Sequence, residues 1–228
     1  MELNVLIGSN ATGKSSRMRY LYDFLQSKGL SEKIITRPFT NKRGITKEAQ
    51  MGILFENGVL LLGGNYNSTA GWASLDELSK KGINTIANRN ALLNEMAASN
   101  EYITHVYCEG YFNCAGTGFR PEALHNNLTG YDKIDVMVMH YDEPQEFIDR
   151  CNLRTSMTFE ITGKKAGVTG SDVRDMAWCL ASAGWGDNQG FRTFIRKAAE
   201  QVQQDYITIE RVDVNAPMSL LKDRRYGK

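Results

Sequence analysis

The sequence predicts an α/β protein with a mostly parallel central sheet flanked by helices. Three observations predict it. Short apolar runs of strand length alternate with stretches of helical periodicity, the order that gives parallel strands joined by crossovers. The first of these runs leads directly into a glycine-bearing loop and then a helical pattern. Further on, Asn57-Gly58 separates two apolar runs, the strongest short-range signal for a β-hairpin, so antiparallel structure is inserted among the βα units.

The opening element is Leu3-Asn4-Val5-Leu6-Ile7, a strand candidate. Gly8-Ser9-Asn10-Ala11-Thr12-Gly13-Lys14-Ser15 follows and fits G-x-x-x-x-G-K-[ST]. The spacing has a chemical reason. Glycines let the backbone wrap a phosphate closely with its N–H groups turned inward. Lys14 then reaches the β- and γ-phosphates, and the Ser15 hydroxyl ligates Mg²⁺. From Ser15 to about Lys28 the pattern is helical, with Met18, Leu21, Tyr22 and Leu25 three and four apart and Gly29 as the C-cap. An anion at Gly8 to Ser16 would meet that helix's positive end.

Lys33-Ile34-Ile35-Thr36 reads as a second strand ending at Arg37-Pro38, because proline does not continue a central strand. Arg37 and Arg43 then fall beyond a strand's carboxyl end, where open α/β sheets bind ligands. They are candidates to grip an anionic acceptor, or members of a solvated basic turn. The hairpin Gly52–Glu56 and Val59–Gly63 opens into Gly64-Asn65-Tyr66-Asn67-Ser68-Thr69-Ala70-Gly71-Trp72. Tyr66 and Trp72 either stack on a base or cover the core edge. Asp76, at the start of a helical pattern, is the candidate general base, with helix capping the alternative.

A helix is expected from Asn84-Thr85-Ile86 to about Ser99, with Leu92, Leu93, Met96 and Ala97 buried and Arg89 toward the cleft. Tyr102–Cys108 reads as a strand that Glu109-Gly110 ends. A phosphate loop needs a carboxylate at the end of a neighbouring strand to serve Mg²⁺ or the nucleophile, and Glu109 stands there. His105, inside that strand, is expected in the core. Phe112 to Arg120 is a loop, so Phe112 and Arg120 face the acceptor side. Pro121 opens a helix to about Leu128, and Ile134–His140 is a strand. Asp142-Glu143-Pro144 caps a helix bearing Arg150 and Arg154, four apart on one face. A glycine-bearing stretch through Gly170 follows, and the pair reads as an arginine-bearing lid or as a solvated pair. Helices from Ser171 and around Phe191–Ala198 lead to a last strand at Tyr206–Ile209. The basic tail from Ser219 is a frayed end or a phosphate-touching patch.

Composition bounds the rest. A chain of 228 residues with 42% hydrophobic and 23% charged residues suits one α/β domain with an insertion, or at most two small domains. A net charge of +1 gives no global basic field, so any nucleic-acid contact has to be local. No apolar run nears the roughly 20 residues that cross a bilayer, and no basic-then-apolar leader pattern opens the chain. Cys108, Cys114, Cys151 and Cys179 form no C-x-x-C pair and have no histidines at zinc spacing. Reduced thiols and a cytoplasmic location are expected.

The order of these features resembles the nucleotide and nucleoside kinase branch of the P-loop superfamily: the Gly8–Ser15 loop, an acceptor region, Glu109 after a strand, then Arg150-x-x-x-Arg154. Across most of the chain the resemblance implies a single P-loop kinase domain, with an acceptor-binding insertion at about 37–82 and a lid at about 143–170. It implies ATP bound by Gly8 to Ser16, Mg²⁺ served by Ser15 and Glu109, and lid charge from Arg150 and Arg154. Thr36-Arg37-Pro38 resembles the T-R-P turn of guanylate kinases. The hairpin and its L-G-G-N-Y…G-W loop are similar to phage-encoded P-loop kinases, some of which phosphorylate 5-hydroxymethyluracil in DNA during base hypermodification. The acceptor so implied is a modified DNA base, flipped from its stack, in the host cytoplasm. A nucleoside or nucleotide is the alternative acceptor, and an NTPase switch without an acceptor is the alternative of another class.

Overall fold

The computed structural model describes residues 1–8, 12–41, 43–63, 66, 78, 81–83, 85–99, 101–110, 121–140, 146, 149–150, 153 and 206–227. Its strands are β1 (Glu2–Ile7), β2 (Glu32–Thr40), β3 (Thr46–Phe55), β4 (Val59–Leu62), β5 (His105–Glu109), β6 (Lys133–His140) and β7 (Ile207–Asp213). The helices are α1 (Lys14–Ser27), α2 (Ile86–Ala98), α3 (Pro121–Asn127) and α4 (Leu220–Tyr226). The strands form one seven-stranded sheet in the order β2-β3-β4-β5-β1-β6-β7. All neighbours from β4 to β7 run parallel, and β3 is antiparallel to both β2 and β4. The expected α/β class with a mixed, mostly parallel sheet is therefore present.

Alternation along the central strands divides the core into two layers. Leu3, Val5 and Ile7 of β1 join Val106, Ile134 and Val136, under Leu92, Leu93 and Met96 of α2 and Leu124 of α3. Leu6 joins Tyr107, Met137 and Met139 on the other face, under Met18, Leu21 and Leu25 of α1 and Leu221 of α4. Burial on both faces is what a parallel sheet demands. Each such aliphatic side chain contributes roughly 1.5–3 kcal/mol of hydrophobic stabilisation.

Local signals placed most of these elements. Gly29 (φ 72°) follows the C-cap of α1, and Gly58 (φ 81°) forms the β3–β4 turn. Thr85 caps α2 by accepting from the Asn88 N–H at 3.1 Å. Beyond Pro144, the expected helices at Ser171 and Phe191 lie outside the described residues.

Two expectations are corrected. β2 does not stop at Arg37-Pro38 but runs on to Thr40, with Pro38 paired opposite Glu48. As the outermost strand among the described residues, β2 has one open edge, where a missing N–H costs no ladder bond. The tail is not a frayed end. It forms α4, whose Leu221 is buried and whose Tyr226 ring lies 5.1 Å from Phe24 of α1.

The extended β2 makes a ribbon. The β3–β4 register spans only Gly52↔Leu62 to Leu54↔Leu60. Among the described residues, Thr36–Thr40 and Thr46–Gln50 therefore pair only with each other, past the carboxyl end of β4. Asn41 closes the tip, its side-chain oxygen accepting from the N–H groups of Arg43 and Ile45. Among the described residues no helix is long and apolar enough to cross a membrane.

Candidate active site

β1 is central, with β5 on one side and β6 on the other, and the chain departs in opposite directions about it. Such a switch point opens a crevice beyond the strands' carboxyl ends. The loop from Gly8 to Ser15 begins there. At Gly8 (φ 144°) a Cβ would lie 2.7 Å from the Met139 carbonyl oxygen, so the exit from β1 passes against β6 only without a side chain. Gly13 (φ 78°) is the N-cap of α1 in the left-handed region, which glycine adopts freely. The other terminus-facing residue, Ser16, is exposed, and Ser9, Asn10 and Ala11 lie outside the described residues.

Three side chains expected at this site are brought together. The buried Lys14 ammonium donates to the Gly8 carbonyl at 2.9 Å and to the Thr12 hydroxyl at 3.2 Å, so it lies folded within its own loop. The Ser15 hydroxyl donates to Oε1 of Glu109 at 2.7 Å. Glu109 is the last residue of β5 and 1% exposed. Because Leu6 pairs with Glu109 in register, the carboxylate sits level with the end of β1, beside the loop. A buried carboxylate and a serine hydroxyl at the start of a helix are hard oxygen donors of the kind Mg²⁺ takes. The ammonium and the helix start in turn suit a phosphate chain. The residues present fit both groups.

The acceptor-side residues separate. Arg37 stands in mid-strand on the ribbon and pairs with Glu95 of α2 at 3.4 Å. Arg43 is exposed at the ribbon tip. Tyr66 is 2% exposed, sits in the α1-side core and donates its hydroxyl to the Leu62 carbonyl at 3.2 Å. Burial, then the charge of Glu109, holds its phenol well above the ordinary range. Of its two expected roles the ring takes the core one, and it presents no open face to a base. Arg89 is buried in α2 rather than open to the cleft, and both its Nε and a terminal nitrogen donate to Asn90 Oδ1. Desolvation brings its guanidinium down to about 10, against the opposing pull of Cys108. Cys108 is itself buried, which pushes its thiol up to about 12.

Arg150 donates to Glu146 Oε1 at 3.1 Å and to Asn215 Oδ1 at 2.6 Å. It therefore lies by the turn after β7. Asp76, Trp72, Phe112, Arg120 and Arg154 lie outside the described residues. His105 is half-buried rather than fully in the core, 3.4 Å from Glu2.

Sequence reasoning missed Arg17. It is fully buried, and its guanidinium nitrogens donate to Thr12 and Gly13 on the loop and to Val214 and Ala216 after β7. One signal was available: Arg17 lies four residues before Leu21, on the apolar face of α1. Comparison with protein-family models, with curated proteins and with solved structures gives no significant match.

Proposed function

We propose that the chain is an ATP-dependent phosphotransferase that moves the γ-phosphate to a hydroxyl. The observation that carries this reading is the Ser15–Glu109 hydrogen bond at 2.7 Å, beside a lysine held within the loop. A phosphate nest alone serves binding proteins equally well. A buried carboxylate locked onto the loop's serine adds the metal half that phosphoryl transfer needs.

In this reading Gly8 to Ser16 hold the nucleotide, and Ser15 and Glu109 hold Mg²⁺. The metal, when bound, neutralises charge on the phosphate oxygens. Lys14 leaves the Gly8 carbonyl for the phosphate chain, exchanging one oxygen partner for a charged one. Arg150, with Arg154, balances negative charge that develops on the transferred group. Asp76 or Glu109 accepts the proton of the acceptor hydroxyl. The roles of Glu109 compete: a carboxylate engaged by metal is a weaker base, so Asp76 is the first choice.

The acceptor proposed is 5-hydroxymethyluracil carried in DNA. What supports a polymeric acceptor is the β2–β3 ribbon beyond the sheet's carboxyl edge, which carries Arg37, Arg43 and Lys47. Two-stranded ribbons match the width of a DNA major groove. A mononucleotide needs no such extension. The test is ATP turnover with DNA containing 5-hydroxymethyluracil, with free nucleotides and with no acceptor. Phosphate appearing on the DNA supports the proposal. Transfer to free nucleotides alone makes the protein a nucleotide kinase, and hydrolysis indifferent to any acceptor makes it an NTPase switch.

A further inference from the structure

Arg17 joins two segments that are distant in sequence. One terminal nitrogen donates to the Thr12 and Gly13 carbonyls at 3.2 and 3.3 Å, and the other donates to the Val214 carbonyl at 2.9 Å and to that of Ala216. The first pair belongs to the phosphate loop and the second to the turn that follows β7. A planar guanidinium can span two such pairs at once, whereas a lysine ammonium is a single point. The fit is close: a Cβ on Gly13 would stand 2.6 Å from the Arg17 Nη1.

The turn has its own frame. The Asn215 N–H donates to Asp213 Oδ1 at 2.5 Å, and the Ala216 N–H to the Asp213 carbonyl at 3.0 Å. This leaves the Asn215 side chain directed outward, where its Oδ1 accepts from Arg150 at 2.6 Å. Hydrogen bonds thus run from the loop through Arg17 to the carbonyls on either side of Asn215, and the Asn215 side chain continues the link to Arg150. Burial, then the charge of Arg150, lowers the pKa of the Arg17 guanidinium, and Asp213 opposes this.

Resting on the phosphotransfer reading above, we propose that Arg17 is a positioning residue that ties the shape of the phosphate loop to the seating of Arg150 through Asn215. Filling of the loop by nucleotide and presentation of Arg150 to the transferred group are then one coupled event. The Arg17 side chain that makes the link is itself fully buried, so displacement at Thr12 and Gly13 passes to the turn, whose exposed Asn215 then carries it to Arg150.

Calorimetric titration with Mg·ATP, beside thermal melting without nucleotide, tests this on wild type, Arg17→Lys, Asn215→Ala and the double variant. Arg17→Lys is expected to weaken binding about tenfold and Asn215→Ala about threefold, with the double variant no weaker than Arg17→Lys, as residues in one network behave. A merely structural Arg17 would lower the melting temperature and leave the affinity of the folded protein unchanged. Affinity within about twofold of wild type in Arg17→Lys, or losses that multiply in the double variant, overturns the proposal. Should Arg17→Lys not fold, Asn215→Ala and Arg150→Gln replace it. Equal, non-multiplying losses in those two support the coupling, and wild-type affinity in Asn215→Ala overturns it. Wild-type protein that binds no Mg·ATP overturns the nucleotide reading and the coupling together, whereas binding that ignores these substitutions overturns the coupling alone.

Discussion

The Ser15 hydroxyl donates to Oε1 of Glu109 across 2.7 Å, joining the first turn of α1 to the last residue of β5. Sequence separates the two by 94 positions, and the parallel register of β1 on β5 brings them level. Glu109→Gln keeps shape and still accepts from Ser15, but it removes the negative charge. The variant is expected to fold normally and to lose about 100-fold or more in kcat, the scale of a lost charged catalytic group. Its Mg²⁺ requirement should rise as well. Turnover measured against Mg²⁺ concentration checks both.

The ribbon makes a separate prediction. Arg37→Ala and Arg43→Ala remove charges of the ribbon and leave the Gly8–Ser16 loop intact, so KM for ATP should stay within about twofold. KM for a DNA acceptor should rise several-fold, and the dependence of log KM on log salt should become shallower by roughly one unit for each lost phosphate contact. Steady-state kinetics over a salt series with each substrate varied in turn measures this. Arg37 also pairs with Glu95, but that pair is about two-fifths exposed on the arginine side and contributes little stability.

Tyr66 is expected to act through packing. Tyr66→Phe keeps the buried ring and deletes the hydroxyl that donates to Leu62, which costs about 1 kcal/mol. Acceptor KM should be unchanged. A melting curve and an acceptor titration on one preparation separate this from a role in base stacking, for which Tyr66→Phe would also be mild but Tyr66→Leu would abolish acceptor binding while the fold persisted.

His105 sets a pH dependence of stability. Burial, then the positive charge of Arg225, holds its imidazole below the ordinary 6.5, against the pull of Glu2. Between the folded value and 6.5 the unfolded chain binds a proton that the folded chain does not. Stability therefore falls as pH drops from about 6.5 through the folded value, and it is fully recovered above 6.5. His105→Gln should flatten that part of the curve. Melting temperature against pH for both proteins gives the difference directly.

How much of this was legible in the sequence depends on which force shaped each part. The β1–loop–α1 unit and the Asn57-Gly58 hairpin are written in local chemistry, so pattern alone places them. Glu109 is legible once a phosphate loop is granted, because the chemistry demands a carboxylate at a strand end. β2 beyond Pro38 is not legible. Whether proline can stay in a strand depends on that strand being the sheet's edge, a property of the finished topology. Thr46–Gln50 has no apolar alternation: Thr46, Lys47 and Glu48 are exposed, and Ala49 is a partly buried neighbour of the core. Arg17 was hidden for another reason. A lone arginine on a helix reads as solvated until the chain beyond β7 returns to cover it, 197 positions away at Val214. Tyr66 was ambiguous by composition, and only its burial decides between ring and core.

The central claim is that ATP held by the Gly8–Ser16 loop gives its γ-phosphate to a hydroxyl and leaves as ADP. Transfer of label from γ-³²P-ATP to DNA containing 5-hydroxymethyluracil, followed in wild type and in Lys14→Ala, tests it most directly. The account predicts labelled DNA from wild type and a loss of about 1,000-fold or more in Lys14→Ala, which retains its fold, the scale of removing a principal charge from a transferring phosphate. Transfer at the wild-type rate in Lys14→Ala, or no transfer from wild type to DNA, nucleotides or nucleosides, would contradict it.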